Sequence, residues 1–223
     1  MIIQYLGHSA FYVEAGTMKA MIDPFLSETI DQPAYHINDL THIFLTHGHG
    51  DHMGDAVSMA RSSGATIIAN HEICLFLRDQ GVTCHAMHIG GRTTMDFGTV
   101  KMTPALHGSG IETESGVVYG GNPGGFVIDA GGKKLYHAGD TGLTMDMQLL
   151  EIESIDVALL PIGGNFTMDV TDALRAVEFI RPALAIPMHY NTFPVIEADP
   201  LVFQQKNHAS QTKILAIGEV FEF

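Results

Sequence analysis

The chain has 223 residues, 46% of them hydrophobic and 16% charged, which is enough apolar material for a sizeable core and excludes a disordered or fibrous polymer. Lys and Arg number 11 against 25 Asp and Glu, and the resulting charge of −14 opposes non-specific binding to nucleic acid or to an anionic membrane surface. The opening residues Met1 to His8 show no basic leader pattern and no stretch reaches the ~20 apolar residues of a membrane span, so a cytoplasmic protein without stable membrane insertion is expected.

Short strand-like runs come first. Met1–Leu6, Phe11–Glu14 and Met18–Ile22, separated by Gly7-His8-Ser9 and Ala15-Gly16-Thr17, predict a meander. Further strands are expected at Ile43–Leu45, Thr66–Ala69, Val82–Ala86, Val100–Pro104, Val117–Tyr119, Phe126–Asp129 and Lys134–His137. Helices interleave with them at Asp55–Ser63 and His71–Asp79, with Asn70 capping the second and Gly64 and Gly81 just past the two ends. The second half predicts a helix over Thr144–Leu150, a buried strand over Asp156–Leu160 and a helix over Val170–Ile180 stopped before Pro182. A strand at Leu184–Pro187, a helix near Leu201–Ala209 and strands at Lys213–Ile217 and Val220–Glu222 complete the pattern. Gly108–Gly125 holds seven glycines in eighteen residues and reads as a long hairpin rather than a boundary. With no linker and no internal repeat, residues 1–223 are expected to form one domain of mixed α/β (α+β) layers.

Histidine is the anomaly: thirteen occur, more than twice the ordinary share, and they form neither a tag nor a tract. Thr46-His47-Gly48-His49-Gly50-Asp51-His52 follows the apolar run Ile43-Phe44-Leu45 and precedes a helix near Asp55. On a strand, residues i and i+2 share a face, so His47 and His49 can present imidazoles to one cation as the strand ends. Gly48 and Gly50 lack a Cβ and let the chain turn tightly, bringing Asp51 and His52 beside the first pair. Such a site needs more ligands than one motif supplies. His107, Asp140 and His189 each follow an apolar strand and open a loop, and strand ends of this kind converge on one sheet edge. Cys74 and Cys84 have nine residues between them, without Cys-x-x-Cys spacing, and read as buried or incidental thiols.

The motif His47-x-His49-x-Asp51-His52, followed by His107, by Gly139-Asp140-Thr141 and by His189, resembles the metallo-β-lactamase superfamily. Leu6-Gly7-His8-Ser9, Ile22-Asp23-Pro24-Phe25, the run from Pro161 to Met168 and Met188-His189-Tyr190-Asn191 are similar to a branch of small metal-dependent hydrolases. That branch is related to ascorbate-6-phosphate lactonase and to the phospholipase D that acts on N-acyl-ethanolamine phospholipids. The resemblance implies a four-layer αββα sandwich. It implies one metal on His47, His49 and His107, a second on Asp51, His52 and His189, and Asp140 bridging the two. Two cations so placed hold a hydroxide that attacks an ester, lactone, amide or phosphodiester. Five imidazoles and two carboxylates without a thiolate suit zinc, and manganese or iron is acceptable.

Asp51 and His8 are the candidate catalytic residues for the leaving-group proton, with His8 able instead to contact substrate. Asp23 fits either a hydrogen bond to a ligand imidazole or a simple turn before Pro24. His137 is expected to face away from Asp140 as a core or supporting histidine, and His36, His42, His71, His85, His88 and His208 as surface or structural ones. Near Thr167, a helix N-terminus either receives a substrate anion or is capped by Asn165 or Thr167. Gly108–Gly125 and Ile30–Ile37 are the expected loops over the pocket. The expected partner is a small-molecule substrate, a phosphorylated lactone or phosphodiester by the resemblance, with no nucleic acid and room for a homo-oligomer. The alternatives are an iron-dependent redox enzyme and a non-catalytic metal-binding protein on the same fold.

Overall fold

The structure is a computed structural model that describes residues 1–26 and 33–223. The meander forms as expected, from β1 (Ile2–Gly7), β2 (Ala10–Ala15) and β3 (Met18–Ile22) in antiparallel register. The chain then alternates through β4 (His42–Phe44), the single-turn α1 (Gly50–Met53), α2 (Ala56–Ser63), β5 (Thr66–Asn70), α3 (His71–Leu77) and β6 (Thr83–Met87). From β3 to β6 the pairing is parallel.

The second sheet repeats this plan without repeating the sequence. β7 (Arg92–Met95) and β8 (Gly98–Pro104) pair antiparallel, β9 (Gly110–Thr113) and β10 (Gly116–Tyr119) form a separate two-stranded ribbon, and β11 (Gly124–Ala130) and β12 (Lys133–His137) resume the antiparallel run. β13 (Val157–Pro161), α4 (Val170–Ile180), β14 (Leu184–Met188), α5 (Pro200–Lys206) and β15 (Gln211–Thr212) then give parallel pairing from β12 to β15. β16 (Val220–Glu222) returns to the first sheet beside β1. Among the described residues each sheet thus has seven strands, ordered β16-β1-β2-β3-β4-β5-β6 and β15-β14-β13-β12-β11-β8-β7.

Strand alternation sorts the apolar side chains into layers. Phe11, Ile22, Phe44 and Ile68 face Val100, Met102, Phe126 and Ile128 across the sandwich. Their neighbours Tyr12, Met21, Ile43 and Ile67 point the other way, into Ala56, Met59 and Ala60 of α2 and Ile73 and Leu77 of α3. On the far side, α4 buries Ala173, Ala176, Val177 and Ile180, the i, i+3, i+4, i+7 stripe of an amphipathic helix. The result is the expected αββα sandwich.

Several expectations need correction. Residues Met145–Glu153 form a 3₁₀ helix rather than an α-helix, with Met147 and Leu150 buried and Leu149 and Ile152 exposed. An apolar spacing of three matches the three-residue turn of a 3₁₀ helix. The segment from Lys213 to Ile217 is not a strand, because pairing ends just after Gln211–Thr212. The chain must leave the second sheet there to reach the first, where Gly218 N donates to the Tyr5 carbonyl at 2.7 Å. β7 was not anticipated, and β4 ends at Phe44, which leaves His47 and His49 in the following loop instead of on the strand.

Direction of travel decides where chemistry can gather. β1, β3 and β4 run one way in the first sheet, and β8, β12, β13 and β14 share one direction in the second. Their C-terminal ends meet at one edge, joined across the sandwich by His189 N to the His8 carbonyl at 2.8 Å and Gly124 N to the Thr46 carbonyl at 3.0 Å. Among the described residues no helix is long and apolar enough to cross a membrane.

Phe126 is fully buried, with its ring 5.3 Å from that of Phe44. Phe126→Ala is expected to cost about 3 to 5 kcal/mol in denaturant unfolding. Ile152→Ala, at an 81% exposed position, is expected to stay within about 0.5 kcal/mol.

Candidate metal centre

Seven strand ends supply this edge, and three of the first residues past them take the left-handed conformation: His8 (φ 52), Asp23 (φ 45) and His189 (φ 53). None is glycine, so each stores strain of about 1 to 3 kcal/mol. In return the side chain is set beside the strand end it has just left.

The histidines and carboxylates come together as three overlapping groups, in each of which one ligand atom per residue lies within 4.8 Å of the others. His47, His49 and His107 form one; His8, Asp51, His52 and His189 form another; His47, His52 and Asp140 link them. Asp140 is central, with Oδ1 3.3 Å from His52 Nε2 and Oδ2 2.9 Å from His189 Nε2 and 3.5 Å from His107 Nε2. All seven residues expected as ligands are therefore assembled, and His8 is adjacent to them.

Among the described residues, His52 Nε2, His189 Nδ1 and Nε2, and Asp140 Oδ1 are buried without a hydrogen-bond partner. They approach one another closely yet are not aligned to donate and accept. Each such orphan costs about 1 to 3 kcal/mol. Imidazole nitrogens and carboxylate oxygens converging in this way fit a divalent cation.

Hydrogen bonds behind the centre fix which nitrogen faces it. Asp23 is fully buried and accepts from Thr46 N at 2.8 Å, from the Thr46 hydroxyl at 2.6 Å and from His52 Nδ1 at 2.8 Å. His52 therefore presents Nε2 inward. Because the Thr46 proton goes to Asp23, its oxygen accepts from His47 Nδ1 at 3.0 Å, and His47 also presents Nε2. Of the two readings of Asp23, the structure bears out the hydrogen bond to an imidazole.

The electrostatics agree with this arrangement. Burial, reinforced by neighbouring His52, holds His47 well below its usual pKa, and burial also lowers His107, so both are neutral as ligands must be. Burial opposes charge on His52 as well, but Asp140 and Asp23 on its two sides raise it well above the ordinary value. The same histidines overcome the burial of Asp140 and hold its carboxyl well below the carboxylate range. Two buried carboxylates thus call for positive charge at His52, which a cation at Nε2 would supply in place of a proton.

His8 is buried, with Nε2 3.2 Å from Asp51 Oδ2 and Nδ1 3.0 Å from Thr192 Oγ1. Its side chain has no exposure, and one ring nitrogen lies within 4.8 Å of ligand atoms of Asp51, His52 and His189. His137 is a core residue as expected: Nε2 donates to the Ser9 carbonyl at 2.9 Å and Nδ1 accepts from Gly139 N at 3.1 Å. At α4 the cap is neither Asn165 nor Thr167 but Asp169, whose carboxylate accepts from Asp172 N at 2.9 Å. That helix end already holds an anion of its own.

Gly48 serves close packing rather than a tight turn. A Cβ there would lie 2.6 Å from Ile111 Cγ1, and Gly48 N donates to Ser109 Oγ, which in turn donates to the Gly120 carbonyl. The turn itself is made by α1, with His52 N donating to the His49 carbonyl at 3.1 Å. Ser109, Thr46 and Thr192 were missed in the sequence, since their partners are remote and hydroxyl residues carry no motif. Of the expected loops, Gly108–Gly125 includes the β9–β10 ribbon anchored beside His49, whereas residues 30–32 of Ile30–Ile37 lie outside the described residues.

Asp23→Ala removes the acceptor of three hydrogen bonds behind the centre. Competition with a chelator is expected to show metal affinity lower by about 10 to 100-fold. Unchanged affinity would contradict the role given to Asp23.

The matches to known proteins cover the same loops. A family model described as the β-lactamase superfamily domain matches residues 19–190. A UPF0173 metal-dependent hydrolase of Alkaliphilus metalliredigens is 69% identical over 223 residues, covering 100% of both chains. Among solved structures, the metallo hydrolase Igni18 of the hyperthermophilic archaeon Ignicoccus hospitalis superposes with a TM-score of 0.86 at 38% identity, over 100% of this chain and 98% of that one. The metallo-β-lactamase fold protein YhfI of Bacillus subtilis, at 13% identity and a TM-score of 0.78 over 99% of each chain, shares the fold. The chain belongs to the metallo-β-lactamase superfamily and, within it, to the UPF0173 metal-dependent hydrolases.

Proposed function

We propose that the chain is a binuclear hydrolase of small-molecule esters, lactones or phosphodiesters, with His47, His49 and His107 holding one cation, Asp51, His52 and His189 the other, and Asp140 shared. The observation that carries this reading is the convergence of buried, unpartnered His52 Nε2, His189 Nε2 and Asp140 Oδ1 between the two histidine groups. When bound, two divalent cations supply Lewis acidity and a nucleophile at neutral pH, and zinc suits five imidazoles and two carboxylates.

The protein's own part is orientation and proton handling. Burial would raise the Asp51 carboxyl, yet the His8 hydrogen bond and His52 bring it down to about 2, so it is ionised at neutral pH. Its side chain is 33% exposed. His8, kept neutral by burial, gives its Nε2 proton to the Asp51 contact and accepts from Thr192 at Nδ1. Asp51 is thus an ionised acceptor at the centre, and His8 orients it. Free Cys74 and Cys84 accord with a reducing, cytoplasmic setting.

Elemental analysis of the purified protein is expected to give about two metals per chain, with chelator-sensitive hydrolysis. His107→Ala and Asp51→Ala are each expected to lose about one metal, from different groups, while Cys74→Ala keeps both. Full loading retained in both ligand variants would overturn the assignment.

A further inference from the structure

We infer that the part of the substrate outside the scissile bond is uncharged and apolar, as in an alkyl- or aryl-substituted ester or lactone, rather than a phosphorylated sugar or a nucleotide. This rests on the hydrolase reading above and names the substrate class of the same site.

The first ground is what the loops at the metal edge contain. Residues 8–9, 23–26, 33–41, 45–55, 105–123, 138–156, 162–169 and 189–199 follow seven of the strands that end there and hold no lysine or arginine, whereas Arg78 follows β5 and Lys213 follows β15. The basic residues lie elsewhere and are largely engaged: Arg92 and Lys101 with Glu153, Lys133 with Asp156, Arg181 with Glu151 and Lys213 with Glu219. The same loops carry Glu112, Glu114, Asp146, Asp169, Glu197 and Asp199. A phosphate or carboxylate away from the reacting bond is ordinarily met by an arginine fork, a lysine or a free helix N-terminus. The N-terminus of α4 is capped by its own Asp169, and the N-cap side chain of α3, Asn70, is bound to Ile73 N and to the carbonyls of Gly120 and Asn122.

The second ground is what these loops expose instead. Leu106, next to His107, is 64% exposed; Phe166 in the β13–α4 loop is 55% exposed; Phe193, whose ring lies 5.5 Å from His8, is 39% exposed. Leu106 N donates to Thr141 Oγ1 at 2.9 Å, and the loop bearing Phe166 is tied to the same residue through Met168 N and the Thr141 carbonyl. Gly163, at the base of that loop, packs against the His189 carbonyl. Three large exposed apolar side chains thus sit on three loops that are each tied to the centre, beside His107, Thr141 and His8. Exposed apolar surface grouped at a polar centre marks a ligand-facing rim.

The test compares γ-lactones bearing methyl to hexyl substituents with a phosphorylated sugar lactone, and titrates the matching alkyl γ-lactams calorimetrically as unreactive analogues. Both kcat/KM for the lactones and affinity for the lactams are expected to rise on the order of threefold per added methylene over the first few carbons. The rise is expected to flatten in Leu106→Ser/Phe166→Ser with metal content unchanged, and Phe166→Lys is expected to shift preference toward the phosphorylated lactone. A flat chain-length series, or a native preference for the phosphorylated lactone, overturns the inference. If no lactone is turned over, the lactonase part of the hydrolase reading fails on its own, and the lactam titration still decides: rising affinity supports the apolar rim and flat affinity refutes it.

Discussion

Two carboxylates buried on either side of one imidazole set the terms for this protein. Asp23 and Asp140 flank His52, and none of the three is more than marginally exposed. Negative charge at that depth is costly unless it is compensated nearby. Asp23 is compensated from behind, by Thr46 and His52 Nδ1. Asp140 has imidazole nitrogens around it but no aligned donor at Oδ1. The imbalance points toward the centre of the cluster, and strained His8, Asp23 and His189 are held in place round it by the sheets.

The sheets can do this because each is assembled in the same order, an antiparallel run followed by parallel strands with helical crossovers. In the parallel half every strand delivers its C-terminal end to one edge, and in the antiparallel half every second strand does. β1 and β8 are such second strands, which is how His8 and His107 join residues that follow parallel strands. The site is thus a consequence of strand parity in both halves.

Much of this was legible before any coordinates. The ligands of the centre stand out because histidine and aspartate directly after an apolar run contradict the run's own character, and Asn70 and Gly64 mark helix ends by local rules. What was not legible depends on register or on close approach. That Thr46 can sit between Asp23 and His47 follows from Ile22 pairing with Phe44, a fact about two strands rather than about either. That Gly48 is glycine follows from Ile111, far along the chain. The departure of Lys213–Ile217 from the second sheet has the same origin, since tertiary demands there override local pattern.

The return of β16 to the first sheet bears on how the chain folds. Met1 and Phe223 exchange hydrogen bonds, the amino group to the Phe223 carbonyl at 2.9 Å and Phe223 N to the Met1 carbonyl at 3.0 Å. The strand that leads to His8 therefore keeps an open edge until residues 220–222 pair with it. Until then β1 offers unpaired amides to any passing strand. Pairing across so long a stretch of sequence is slow to form, so this edge of the first sheet is covered late as the chain folds.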